Sequence, residues 1–291
     1  MAFDVYQIVT DQIIGKLEQG TVPWRVPYRG GAAGAPKNLA SGKAYRGVNV
    51  FLLAVEAWCR GYDSSYWVTY RQAQERGAHV KKGEKSTLVV FWKELEVADR
   101  ETGEPTKVPV LRYYRVFNAA QCEGLRVPDA GAVEPLAFTP IEAAQRIVEA
   151  FAGGPSIEYG HTYPCYVPKA DAVRMPDKER FTSSEEVYST LFHELGHATG
   201  HSSRLDRGVD REQNAFGSER YSREELVAEM AAAFLCGEAG IEQVTLDNAA
   251  AYIAGWLKRL KDDKKLVVSA AGAAQKAADW VLGRYREVEV A

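Results

Sequence analysis

The order of apolar and polar positions divides the chain into two unlike halves. Near the start, Val5, Ile8, Val9, Ile13 and Leu17 recur at the spacing of one helix face, and Gly20 ends the run. A Gly/Ala/Pro stretch at 30–36 reads as a flexible loop. Residues 48–60 (VNVFLLAVEAWCR) read as a buried helix, and 66–70 (YWVTY) as a short strand or the lead into a helix through 71–76. The β-branched and aromatic runs 87–93 (TLVVFWK) and 107–117 (KVPVLRYYRVF) read as strands, with polar residues 99–106 as a hairpin loop between them. Three prolines and weak periodicity over 126–140 mark a boundary. Beyond it the pattern becomes helical. A helix is expected over 140–152, with Pro140 at its start and Gly153-Gly154 at its end, followed by short strands within 161–175. Thr182-Ser183-Ser184 ahead of Glu185 and Glu186 opens a helix that runs to about Ala198, with Gly200 as its stop. Ser222 then caps a helix over 223–236, and helices at 246–261 and 269–285 complete the chain. The fold class this predicts is α+β in two domains. Residues 1–130 form an α+β domain, and residues 136–291 a mostly helical domain with a small sheet.

Composition narrows the class without changing that picture. The 291 residues are 46% hydrophobic and 26% charged, as in soluble globular proteins. Four separated cysteines form no C-x-x-C pair, which argues against a Cys-ligated metal and for a reduced, cytoplasmic setting. No basic-then-apolar start suggests a signal peptide, and no apolar run is long enough to span a bilayer, so no membrane partner is expected. Charge is uneven. Residues 25–93 carry twelve Lys/Arg against four Asp/Glu, whereas 136–291 carry eighteen against twenty-four. A basic block can serve a polyanion, although a solvated lysine face gives the same count.

The chemistry concentrates in His193-Glu194-Leu195-Gly196-His197. Histidines four residues apart on a helix share a face, about 6 Å apart along the axis, and both imidazoles can reach one tetrahedral zinc. Glu194 is placed to take a proton from a water on that metal. Such a motif can arise by chance, but three of the five histidines (193, 197 and 201) fall within nine residues here. The metzincin third histidine is missing, because Ser203 stands at its position. His201 follows the helix stop too closely to ligate and reads as a loop or supporting histidine. The third ligand is then a glutamate of the next helix. Glu225 and Glu229 share a face there, opposite the histidines across the small residues Ala228, Ala231 and Ala232. One should bind metal and the other should orient a histidine. Ser222-x-x-Glu225 reads as a capping box, which would occupy Glu225 and favour Glu229 as ligand. Some Glu-type zincins put the ligand first and the orienting carboxylate four residues later, which favours Glu225. Three protein ligands and one open position make a catalytic rather than a structural site. The cofactor expected is Zn²⁺, or another divalent metal.

The N-terminal block mixes basic and aromatic residues. Lys43, Tyr45, Arg46 and Asn49 lie in one segment, Trp67, Tyr70 and Arg71 in a second, and Lys81, Lys82 and Lys85 in a basic turn. Cations that neutralise phosphates beside rings that stack on unpaired bases suit single-stranded DNA. The segments NLASGKAYRGVNVFLL (38–53), YWVTYRQAQERGAHVKKGEKS (66–86) and VFNAAQCEGL (116–125) resemble the N-terminal domain of ArdC-type antirestriction proteins, a domain also found in plasmid primases of the TraC type. FTSSEEVYSTLFHELGHATGHSSRLDR (181–207) and EELVAEMAAAFLC (224–236) resemble their zincin-like metallopeptidase domain. The resemblance implies a plasmid-borne protein that binds single-stranded DNA and protects incoming DNA from host restriction during conjugation. Its peptidase would act on a protein met at that DNA, such as a restriction-system component. The competing reading is a shielding protein whose metal centre is structural or not required. A nuclease is disfavoured, since no carboxylate cluster suits two-metal phosphodiester chemistry.

Overall fold

The structure is a computed structural model that describes residues 4–25, 35–98, 105–128, 140–211, 219–241 and 249–285. The loop expected at 30–36 lies almost wholly outside the described residues, as do most of the 126–140 boundary and the turn at 99–104. No described helix is long and apolar enough to cross a membrane.

The N-terminal half is α+β. Helix α1 (Val5–Glu18) starts at Asp4, whose carboxylate accepts from the amides of Tyr6 at 3.0 Å and Gln7 at 3.2 Å. Helix α2 (Val48–Arg60) ends at Gly61 in the left-handed region, φ +65°. Strands β1 (Lys37–Asn38), β2 (Tyr66–Thr69), β4 (Thr87–Ala98) and β5 (Pro105–Asn118) form a sheet in the order β1-β2-β5-β4, in which β1 and β2 are parallel and the rest antiparallel. The 66–76 segment is both strand and helix. Thr69 ends β2 and caps α3 (Tyr70–Glu75) through a box with Gln72. Strands β3 (His79–Val80) and β6 (Cys122–Glu123) make a small separate pair.

The C-terminal half contributes α4 (Pro140–Glu149), then β7 (Ser156–Glu158), β8 (Cys165–Val167) and β9 (Ala172–Arg174) in the sheet order β7-β9-β8. Helices α5 (Ser184–Ala198), α6 (Glu219–Ala239), α7 (Ala249–Asp262) and α8 (Leu266–Val281) follow. Helix α4 stops three residues before its expected end, and Phe151 turns into the core. Helix α8 starts three residues early because Leu266, Val267 and Val268 are all buried. The correction that matters most is in α6. The helix already includes Glu219, so Ser222 is buried inside it and is not its N-cap.

One apolar cluster runs through both halves, joining α1 and α2 to α5, α6 and α8. Polar contacts reinforce it. The Thr10 hydroxyl donates to the Lys264 carbonyl at 2.7 Å, and the Trp24 indole N–H donates to the Tyr252 hydroxyl at 3.1 Å. Helix α2 also closes the open side of β4, the outermost strand of its sheet. The buried Asn49 amide accepts from Val90 N–H and donates to Val90 C=O, both at 2.7 Å. Its job is structural, which corrects the expectation that Asn49 contacts DNA. Asn49→Ala strands two buried backbone groups and is expected to cost about 2–4 kcal/mol, read as a lower urea midpoint. DNA affinity of the remaining folded protein should be unchanged.

Candidate metal centre

Helix α5 is set by its ends. The Ser183 hydroxyl accepts from Glu186 N–H at 3.1 Å, and Glu185 and Glu186 complement the dipole in the first turn. Val187, Leu191, Phe192 and Leu195 are buried, which fixes the helix rotation and leaves His193 and His197 on the face toward α6. Gly200 does not stop the helix by a left-handed turn. It leaves room for Arg207, whose guanidinium would lie 2.9 Å from an added Cβ.

Helix α6 crosses α5 closely at Gly196, where a Cβ would meet Ala228 Cα at 3.0 Å and the Ala228 carbonyl at 3.2 Å. This crossing brings Glu225 to the histidines. Its carboxylate oxygens lie 3.7 Å from His193 Nε2 and 3.6 Å from His197 Nε2. The two Nε2 atoms are 3.2 Å apart, close to the separation of about 3.3 Å that two nitrogens take on one tetrahedral zinc. The three donors fall within 4.8 Å of one another, a set of two imidazoles and a carboxylate suited to a divalent cation. Glu229 is not in this group. It turns toward the N-terminal segment, 3.4 Å from Arg25, which stacks over Tyr252. The capping argument that favoured it fails with the Ser222 cap. His201 stays in its loop, bonded to the Ser203 hydroxyl at 2.7 Å.

Glu194 is buried, and its Oε2 accepts from Tyr166 N–H at 2.7 Å. Strand β8 therefore positions this carboxylate, and β8 is itself braced by Asp171. Asp171 takes the Tyr166 hydroxyl at 2.7 Å and pairs with Arg204, which holds its carboxyl below the usual range. Two functional neighbours escaped the sequence reading. Glu224 lies 3.5 Å from His197 Nδ1 and takes two bonds from Arg207, at 2.9 and 2.7 Å. It orients His197, the task expected of Glu225 or Glu229. Tyr221, one turn before Glu225, has its hydroxyl pushed up to about 12 by burial and by Glu225. The HExxH pattern could not signal either one, since both depend on how α6 is rotated.

The basic-aromatic block separates into core and surface. Trp67 and Tyr45 are buried in a cluster with Leu53, Val89 and Val116, so neither ring can stack on a base. Arg46 is bound to Asp279 of α8. Lys43, Tyr70, Arg71, Lys82 and Lys85 are exposed, and exposed Lys81 donates to the Ala120 carbonyl at 2.9 Å. Besides Tyr70 and Trp58, the N-terminal half exposes four rings on the β4–β5 hairpin: Phe91, Trp92, Tyr113 and Tyr114. Register sets Phe91 opposite Arg112, with Tyr114 packed edge-on to Phe91 at 5.6 Å. The doublets Phe91-Trp92 and Tyr113-Tyr114 carried a signal, because neighbours on a strand point to opposite faces and both cannot be covered by one helix layer.

The N-terminal domain of anti-restriction factor ArdC matches residues 3–117, and the zincin-like metallopeptidase family matches 142–273. The crystal structure of metal-free antirestriction ArdC protein from plasmid R388 is 40% identical, covers 97% of this chain and 98% of its own, and superposes with a TM-score of 0.78. This chain belongs to the ArdC antirestriction family. The Mn(II)-bound structure of the R388 protein is 38% identical with a TM-score of 0.76, covering 99% of this chain and 100% of its own. Protein y4eC of Sinorhizobium fredii, uncharacterised, is 39% identical over 96% of this chain and 91% of its own length. DNA primase TraC of Escherichia coli is 37% identical over 95% of this chain, which spans 27% of that protein's length.

Burial opposes charge on His197, but the Glu224 bond and the charges of Glu194, Glu224 and Glu225 outweigh it and raise the imidazole to about 9. In the metal-free protein this proton contributes stability fully below pH 6.5, and that contribution is lost as pH rises through about 9. A cation must displace the proton, so cation affinity should rise about tenfold per pH unit between 7 and 9. Calorimetry in buffers of different ionisation enthalpy should detect the released proton. Glu224→Gln should lower affinity about 10–100-fold and reduce that release.

Proposed function

We propose that the C-terminal half is a zinc-dependent peptidase and that the N-terminal half binds single-stranded DNA. Together they would serve a plasmid-type, cytoplasmic antirestriction protein that protects incoming DNA from host restriction during conjugation. The observation that carries the peptidase reading is the convergence of His193, His197 and Glu225 beside a buried Glu194. A divalent cation held by those three side chains would polarise a scissile carbonyl and acidify a water. Glu194 Oε2 already accepts the Tyr166 amide, which leaves Oε1 to take the water's proton and pass it to the leaving amine. Tyr221 keeps its proton and offers an O–H donor beside Glu225. The Mn(II) bound by the R388 relative supports a divalent metal, and the donor set suits zinc. On the other half, Phe91, Tyr114 and Arg112, together with Tyr70, Arg71 and the Lys81–Lys85 turn, supply stacking rings and phosphate contacts.

Glu194→Gln preserves an acceptor for Tyr166 and should bind metal normally while losing peptide hydrolysis, measured as metal content and cleavage of restriction-system subunits. Retained cleavage would sink the assignment. The same variant separates the two functional readings. Full protection of plasmids by Glu194→Gln makes shielding of DNA the mechanism, with the metal centre not required. Tyr114→Ala with Arg112→Ala should weaken binding to single strands more than to duplex and flatten its salt dependence.

A further inference from the structure

A cavity of about 1070 Å³, rimmed by charged side chains, opens between α6, α7 and α8. Its size is that of a small-molecule site. Helix α6 contributes Arg220, Ser222, Arg223, Glu224 and Val227, and α7 contributes Gly255, Lys258, Arg259 and Asp262. The α7 set follows the i, i+3, i+4, i+7 rule of a single helix face, and α6 faces it across the opening. Arg207 also lines the cavity, but Glu224 neutralises it. Four further cations, Arg220, Arg223, Lys258 and Arg259, face Asp262 and Asp263, and among the described lining residues the cations outnumber the carboxylates. None of the four makes an ion pair among the described residues. Arg220 donates to the Arg207 and Gly208 carbonyls, and Arg259 lies 5.2 Å over the Trp256 ring. Arg220 also sits in the first turn of α6, where the helix dipole disfavours cations. Arg220, Arg223 and Lys258 are exposed and Arg259 is half-buried, so all four heads can reach a ligand in the opening.

We infer that this cavity binds phosphate groups, through Arg220, Arg223, Lys258 and Arg259. The ligand would be either a free phosphate-bearing molecule or the phosphodiester backbone of a nucleic-acid strand. The cavity adjoins the metal cluster through Glu224 and Arg207 but includes none of the three metal-binding side chains. Glu224 and Glu225 are neighbours about 100° apart around α6, so Glu225 faces the histidine Nε2 atoms while Glu224 lines the cavity. The cavity also lies in the other half from the hairpin aromatics, so the inference does not depend on the DNA reading.

The test uses the full-length, metal-loaded protein. Inorganic phosphate, against chloride at matched ionic strength, is expected to raise its melting temperature, and Arg223→Ala with Lys258→Ala should remove that shift. In parallel, affinity for a labelled oligothymidylate is measured by anisotropy in the wild type, the cavity variant and the hairpin variant. A loss of roughly tenfold or more in the cavity variant, additive to the hairpin loss, identifies a strand backbone as the source. Loss of the phosphate shift with unchanged oligonucleotide affinity identifies a free phosphate-bearing ligand. If neither readout changes, the inference is overturned. It is equally overturned if Arg223→Lys with Lys258→Arg, which keeps the charge, loses the phosphate shift as fully as the alanine pair. A wild type that binds no oligonucleotide defeats the DNA reading and leaves the phosphate arm readable.

Discussion

The close crossing of α5 and α6 at Gly196 and Ala228 is the constraint on which the metal centre depends. Any side chain at 196 would meet the Ala228 backbone at 3.0–3.2 Å and push the helices apart. The donor positions on α6 would move with them, and cation coordination tolerates only a few tenths of an ångström. Arg207 fastens the same crossing from one end. It donates to the Gly196 carbonyl at 2.8 Å, to the Thr199 hydroxyl at 2.9 Å and to both oxygens of Glu224. One guanidinium thus bonds a carbonyl in the last turn of α5 and aligns the carboxylate that lies against His197.

The charges around this crossing are arranged for a cation. Glu194, Glu224 and Glu225 approach two imidazoles in a half-buried space, and without a metal the compensation falls to a proton on His197. Removing one member of such a group costs more than the pair itself contributes, because the partner is left charged and desolvated. The buried Glu194 carboxylate is satisfied by a backbone amide, that of Tyr166.

The two halves are mechanically joined. Helix α1 lies on the C-terminal helices, Arg25 reaches Glu229, and Arg46 reaches Asp279. Residues that look like DNA contacts in the sequence are therefore partly devoted to the junction. The hairpin that carries the exposed rings stands on α2 through Asn49, and α2 packs on the same core as the metal helices. The hairpin and the histidine-bearing helix are held at a fixed relation by this packing.

The local rules were legible. Period and caps placed α1, α2 and α5, and β-branched and aromatic runs placed β4 and β5, because these depend on neighbours along the chain. The i, i+4 geometry of His193 and His197 and the adjacency of Glu194 are likewise properties of one helix. Beyond one helix the sequence was ambiguous. Glu225 and Glu229 share a face, and only the start of α6 at Glu219 and its rotation against α5 bring Glu225 to the histidines and turn Glu229 to Arg25. Trp67, Tyr45 and Asn49 looked like ligand contacts because composition does not record burial, whereas Phe91 and Tyr114 were hidden among ordinary strand residues. The sequence determined which chemistry was present and on which helix. Tertiary packing decided which side chains share it, since a rotation of one residue, about 100° on a helix, redirects every donor.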